Sequence, residues 1–270
     1  MKTLFLMAIM QTASWLYCQS PKEIVDETIK NLNYTKANKD IISAAEKDPE
    51  FYTLKDTVKI KIDEIETTSK DYSFITSKAS EGLADTIVSI EKIVNIAEKM
   101  WNMVVSNKPA VNVESKYAVA LPKGVSDAVE LSGWSKPKTY LISFYFENLY
   151  GVDVINVSYK VTYVYGGNYN GKGKYLAAVW AIPVSIDAMW GFSFNMSASV
   201  PDSTVVNVGS SANPIAALQL KVSWSAKSVL KEVDGTAVYY IQGDGYFEEI
   251  ASPFKLQKTN LENLKNINLN

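Results

Sequence analysis

The sequence predicts an α+β fold, in which an N-terminal helical region is followed by an antiparallel β-sandwich. Up to residue 104, apolar residues recur at three- and four-residue spacing, which is typical of amphipathic helices. From residue 111 they alternate with polar residues, and turn residues separate the runs. Many short strands without intervening helices favour a sandwich or a barrel, and we expect the sandwich. The predicted organisation is a signal peptide at 1–18, a helical region at 20–106, a β-sandwich at 110–252 and a flexible tail at 253–270.

The composition excludes several classes of function. The chain has 270 residues and is 47% hydrophobic, so it is long enough to bury a core. It has 27 basic and 29 acidic residues and no long run of like charge, so we expect no nucleic-acid partner. It has neither arginine nor histidine, which removes guanidinium phosphate clamps, imidazole bases and imidazole metal ligands. We therefore predict no enzymatic activity, no cofactor and no metal.

The first residues are typical of a secretory signal. Lys2 provides the positive charge, residues 4–10 an apolar core, and residues 16–19 a plausible cleavage region. Polar residues interrupt the apolar stretch before it reaches the roughly 20 residues of a transmembrane helix. Cys18 is the one cysteine, and cleavage after it leaves a mature chain without disulfides. We expect a secreted protein that is stabilised by packing alone.

Four helices are predicted in the N-terminal region. The first begins at Ser20 with a capping-box pattern, and a short second one covers 41–47. The third follows a stripe that begins at Leu54 and continues at Val58 and Ile62. The fourth covers 83–104, and its stripe consists of Leu83, Ile87, Ile90, Val94, Ala97, Trp101 and Val104. By default, such stripes form the shared core of a helical bundle.

The β-region is rich in aromatic residues. Trp180, Pro183, Trp190 and Phe192 fall within a short span, with Tyr239 and Tyr246 further along the chain. Rings that carry a polar group suit membrane interfaces, choline headgroups and stacking on sugars, but they also suit ordinary cores. Trp190 follows a loop predicted at 183–188, so we expect it at an exposed rim.

The segment 175–192, Tyr-Leu-Ala-Ala-Val-Trp-Ala-Ile-Pro-Val-Ser-Ile-Asp-Ala-Met-Trp-Gly-Phe, resembles the actinoporin signature of a strand, a proline-containing turn and an aromatic loop. The stretch 117–125 is similar to the Val-Leu-Pro stretch of that family, and an amphipathic helix ahead of a β-sandwich agrees with its order. There are departures. Ala181 stands where the family has serine, Val184, Ile186 and Met189 replace aromatic residues, and residues 20–79 are an addition.

The resemblance implies a secreted, membrane-binding, pore-forming toxin that assembles as a homo-oligomer on the lipid membrane. The lipid-binding residues, with choline headgroups as a possible ligand, would be Trp180, Pro183, Trp190, Phe192, Tyr239 and Tyr246. The helix that inserts would present Leu83, Ile87, Ile90, Val94, Ala97 and Trp101 to lipid. The alternative is a secreted, non-enzymatic carbohydrate-binding or adhesion module, in which the helices form a structural bundle.

Overall fold

The computed structural model describes residues 38–66, 87–113 and 116–252. The chain divides into two compact units, residues 1–49 and residues 50–270. In the first unit the described structure is a helix at 38–47, and the amide of Asp48 donates to the Ala44 carbonyl at 3.0 Å at its end. The predicted signal peptide, the first predicted helix, Leu83 and the predicted tail lie outside the described residues.

The described part of the second unit contains β-strands joined by turns, with single-turn 3-10 helices at Ala128–Glu130 and Asp202–Thr204. The described strands are β1 Leu54–Ile65, β2 Ser89–Val94, β3 Met100–Val105, β4 Lys108–Pro109, β5 Ala118–Lys123, β6 Lys138–Asn148, β7 Asp153–Tyr169, β8 Lys172–Ala188, β9 Phe192–Ser199, β10 Val206–Asn207, β11 Ala216–Ser228, β12 Glu232–Gln242 and β13 Phe247–Ala251.

These strands form two antiparallel sheets. The first sheet has the order β1-β6-β7-β8-β5-β2, and the second has the order β13-β12-β11-β9-β3-β4 with β10 beside β11. Strands β7 and β8 form the longest hairpin, whose turn is Asn170-Gly171 with φ of 51° and 76° at its two residues. Asparagine followed by glycine tolerates these left-handed conformations, which a two-residue hairpin turn needs.

The core lies between the two sheets. Phe144 and Phe146 of β6 meet Phe194 of β9 and Trp224 of β11, with ring centroids 5.6 Å apart for Phe144 and Phe194 and 5.1 Å for Phe146 and Trp224. All four side chains are at most 5% exposed. Alternate residues of the strands therefore point inward and fill the space between the sheets.

Two tyrosines place polar atoms in this core. The hydroxyls of Tyr159 in β7 and Tyr239 in β12 hydrogen-bond to each other, and both side chains are at most 1% exposed. Burial raises the pKa of both phenols well above the usual value. The pair thus links the two sheets through a neutral hydrogen bond.

The prediction of an α+β fold with an N-terminal helical region is wrong. Described residues 50–66 and 87–105 contain β1, β2 and β3 where the third and fourth helices were expected. In β1, Val58, Ile60 and Ile62 alternate with charged residues and pair with the buried residues of β6. The alternation of apolar and charged residues, which is typical of a strand, therefore determines the structure here. The helical spacing that begins at Leu54 does not.

The predicted amphipathic helix at 83–104 is also wrong over its described part. Six of the ten residues from 87 to 96 are isoleucine or valine, whose branched side chains favour strands. Asn95 then stops β2, because its side-chain oxygen accepts from the amides of Ala97 and Val119 and its nitrogen donates to the Glu98 carbonyl. The chain turns at this point and returns as β3.

Candidate functional site

Three turns come together at one end of the second unit. They are 149–152 between β6 and β7, 189–191 between β8 and β9, and 229–231 between β11 and β12. Strand pairing places them together, since Ile155 pairs with Ala188 across β7 and β8, and Phe192 pairs with Ser228 across β9 and β11. The sheet register therefore brings distant parts of the sequence to one surface.

The side chains on these turns are large, apolar and exposed. Tyr150 and Trp190 are each 56% exposed. We call the whole set the apolar tip, and it consists of Leu149, Tyr150, Val152, Met189, Trp190, Val229 and Leu230, all at least 40% exposed. Single exposed apolar residues are common on protein surfaces, but a contiguous group marks an interaction site.

The Trp190 turn is held by aromatic packing beneath it. Tyr52 contacts the Trp190 ring edge-on at a centroid distance of 6.3 Å and stacks on Phe192 at 5.8 Å. Tyr52 is 6% exposed and Phe192 5%. The Met189 amide donates to the Val154 carbonyl at 2.9 Å, and Gly191 supplies the φ of 90° that the turn needs. The exposed indole therefore stands on a rigid base.

The other two turns are fixed by short-range hydrogen bonds. Asn148 bonds to Val152 through both its backbone and its side chain, each at 3.0 Å. The Ser228 hydroxyl oxygen accepts from the amides of Leu230 and Lys231 at 3.2 and 3.0 Å. Such caps leave the apolar side chains of the turns pointing outward on ordered backbones.

Four lysines beside the apolar tip are each paired with a carboxylate. Lys55 and Lys59 both bind the carboxylate of Glu147. Lys231 binds Asp56 at 2.8 Å, and Lys227 binds Glu232 at 2.6 Å. Hydrogen bonds from these lysines lower the pKa of the Glu147 and Glu232 carboxyls, which keeps them ionised. Among the described residues, the lysines on the flanks of the tip are therefore paired and form no free basic cluster that would select an acidic surface.

The residues predicted to bind lipid do not form one surface. Trp180 and Tyr239 are fully buried, Phe192 lies beneath the tip, and Pro183 is half-buried in β8. Tyr246 is 48% exposed, but it lies in the β12–β13 turn at the opposite end of the sheet. Trp190 alone among these six belongs to the apolar tip.

The stripe predicted for the pore helix is dispersed as well. Ile87 is 89% exposed ahead of β2, Ile90 and Val94 are half-buried in β2, and Ala97 lies in the turn after it. Trp101 is 2% exposed in β3, and its indole nitrogen donates to the Ala181 carbonyl at 3.4 Å. These residues therefore do not share a lipid-facing side in this structure.

Sequence reasoning missed most of the apolar tip. Leu149, Tyr150 and Val152 surround Gly151, whose φ is 81°. Leu230 follows Val229 directly ahead of Lys231. Apolar residues placed within turn sequences, where polar residues are usual, were the signal available.

Within the described ranges, no group of three or more acidic, cysteine or histidine residues is placed to hold a metal ion. No helix in the described part of the chain has the length and apolarity to cross a membrane.

Comparison with known proteins found no matching family model, curated protein or solved structure. The similarity to actinoporins therefore stands on the short sequence motifs alone.

Proposed function

We propose that this is a secreted, non-enzymatic protein that binds a lipid membrane through the apolar tip. The observation that supports this proposal is that exposed apolar side chains from three separate turns come together, with Tyr150 and Trp190 each 56% exposed. Aromatic rings with a polar group are favoured at the boundary between lipid headgroups and acyl chains. The ion-paired flanks favour a neutral or zwitterionic surface, such as choline lipids, over an anionic one.

Vesicle sedimentation tests this proposal. Phosphatidylcholine vesicles are mixed with the wild type, with Trp190→Ala and with the double variant Trp190→Ala/Tyr150→Ala. Withdrawing one large ring from lipid costs about 2 kcal/mol, so each substitution should weaken binding roughly thirtyfold. Tyr246→Ala is the matched control, because Tyr246 is 48% exposed at the opposite end of the sheet. Wild-type binding by the double variant would show that the tip does not dock.

Pore formation by a homo-oligomer is the second part of the proposal. A helix drawn from residues 87–104 cannot be its starting point, because those residues are strands and a turn in the folded protein. Release of a trapped dye from the same vesicles measures this activity separately. Binding to the vesicles without release of the dye would show that the protein docks on membranes and would contradict pore formation.

A second candidate is a secreted carbohydrate-binding or adhesion module. The exposed rings of Trp190 and Tyr150 favour it, because flat aromatic faces also stack on sugars. Binding to lipid-free glycans that is abolished by Trp190→Ala, without any binding to vesicles, would select this function.

A further inference from the structure

A shallow groove of about 420 Å³ crosses β3, β9 and β11 of the second sheet. Its polar side chains are Asn102, Asn195, Ser197, Ser223 and Ser225. They lie on the outer face, because the residues that alternate with them, such as Phe194, Met196 and Trp224, are buried. None of the nine described residues that line the groove is charged.

The polar residues of the groove form cross-strand rows. Asn102 pairs with Ser197, Ser197 with Ser223, and Ser223 with Thr236, while Asn195 pairs with Ser225 in the next row. The hydroxyls of Ser223 and Thr236 are 3.1 Å apart. The Ser106 amide donates to the Asn195 side-chain oxygen, and the Ser225 hydroxyl donates to Glu232 at 2.9 Å. Hydroxyl and carboxamide groups each donate and accept hydrogen bonds, so Asn102 and Ser197 offer both functions to a ligand.

An irregularity in β3 opens the edge of the groove. The register between β3 and β9 shifts between Asn102 and Val104, so Met103 and Val104 both point inward. Asn102 and Val105 consequently both point outward, and both also line an adjoining groove of about 410 Å³ toward Lys108. The side chains of Asn102 and Ser197 make no hydrogen bond with another residue of the described chain, and they remain available to a ligand.

This chemistry fits a neutral sugar better than an ionic ligand. A phosphate, sulfate or carboxylate calls for a cationic partner, and the groove lining supplies none among its described residues. A sugar presents hydroxyls that donate and accept together with apolar C–H faces. The hydroxyl and amide groups of the groove can bond to the sugar hydroxyls. Val105, which is 49% exposed, provides an apolar contact for the C–H faces.

The groove lies close to the apolar tip. Strand β9 begins at Phe192, directly after the Trp190 turn, and Asn195 follows three residues later. At about 3.3 Å per residue, the groove opens roughly 10 Å from the tip. We propose that the groove binds the neutral sugar headgroup of a glycolipid while the apolar tip contacts the lipid surface. This inference rests on the proposed membrane-binding function and names its ligand.

Two kinds of vesicle test the inference: phosphatidylcholine alone, and phosphatidylcholine with a neutral galactosyl or lactosyl ceramide. Wild-type protein should bind the second kind more tightly. Asn102→Ala and Ser197→Ala should each weaken binding to the glycolipid vesicles about fivefold, as expected for one lost neutral hydrogen bond. Neither substitution should change binding to phosphatidylcholine alone. Ser197→Thr, which keeps the hydroxyl, should retain most of the gain.

Gln219→Ala is the matched control. Gln219 is a half-buried residue on the same outer face of β11, outside the groove, so this variant should behave as the wild type. Trp190→Ala should weaken binding to both kinds of vesicle. Equal wild-type binding to the two vesicles would overturn the glycolipid inference alone. Failure to bind either vesicle would overturn the membrane-binding function and this inference with it.

Discussion

At the residue scale, the Tyr159–Tyr239 hydrogen bond illustrates how a two-sheet core accommodates polar atoms. Each hydroxyl would lose its solvation on burial, and each recovers a partner from the facing sheet. Neither residue can be recognised as half of a pair from the sequence, because they are 80 positions apart. Tyr239 was expected at a lipid surface because it is one of the aromatic residues of the β-region that carry a polar group. In the structure it is buried and bonded to Tyr159.

Tyr159→Phe should destabilise the protein by about 1 to 3 kcal/mol, because it leaves the buried Tyr239 hydroxyl without this partner. The double variant Tyr159→Phe/Tyr239→Phe should recover part of that loss, since neither hydroxyl then remains in the core. Urea unfolding of the wild type, both single variants and the double variant provides the comparison. Simply additive losses would mean that the two hydroxyls do not depend on each other.

At the element scale, most strands after residue 116 were predictable and those before it were not. The loop predicted at 183–188 is wrong, because these residues form the last part of β8. Tyr140, Ile142, Phe144 and Phe146 occupy every second position of β6, and this apolar alternation identifies the strand directly. Residues 87–104 also contain a bulge in β3 and a turn at Asn95, which shift the alternation and produce three- and four-residue spacings. The two short strands β2 and β3 therefore have the apolar spacing of a helix. Their strand structure depends on pairing with β5 and β9, which the local sequence does not show.

Strand pairing also explains Gly235 of β12, which lies opposite Trp224 of β11. A Cβ at Gly235 would lie 2.0 Å from the Trp224 ring, so the glycine makes room for the indole. Gly235→Ala should cost about 1 to 3 kcal/mol through overpacking. In a Trp224→Phe background the same substitution should cost less, because the smaller ring vacates that space. Thermal unfolding of the four proteins measures this, and an equal cost in both backgrounds would exclude the steric explanation.

At the scale of the whole molecule, the candidate site is a product of topology. Trp190 was expected at an exposed rim, but its neighbours on the apolar tip come from turns some 40 residues before and after it. Their proximity depends on the registers between β7 and β8 and between β9 and β11, and these registers cannot be predicted from the apolar pattern of the sequence. Sequence periodicity predicted many of the strands, while the assembled surface required the structure.

Stability should fall at alkaline pH, because burial raises the pKa of Tyr159, Tyr163, Tyr175 and Tyr239, to about 12 for Tyr175. Below about pH 10, these tyrosines are protonated in both the folded and the unfolded chain. Above it the unfolded chain ionises first, so each tyrosine lowers the free energy of unfolding by about 1.4 kcal/mol per pH unit. Urea unfolding between pH 8 and 11 should show a decline only above 10. In the variant Tyr159→Phe/Tyr239→Phe, the free energy of unfolding should decline less steeply with pH. An unchanged slope would mean that other groups cause the decline.

The positions of the tryptophans also have an optical consequence. Trp101, Trp180 and Trp224 are at most 5% exposed and Trp134 is half-buried, while Trp190 is 56% exposed on the apolar tip. A water-soluble quencher therefore reaches Trp190 first among these five fluorophores, and transfer of its indole from water to lipid shifts its emission to shorter wavelength. The protein carries an intrinsic fluorescent reporter at the surface where docking is proposed, and no added label is needed to follow the event in time.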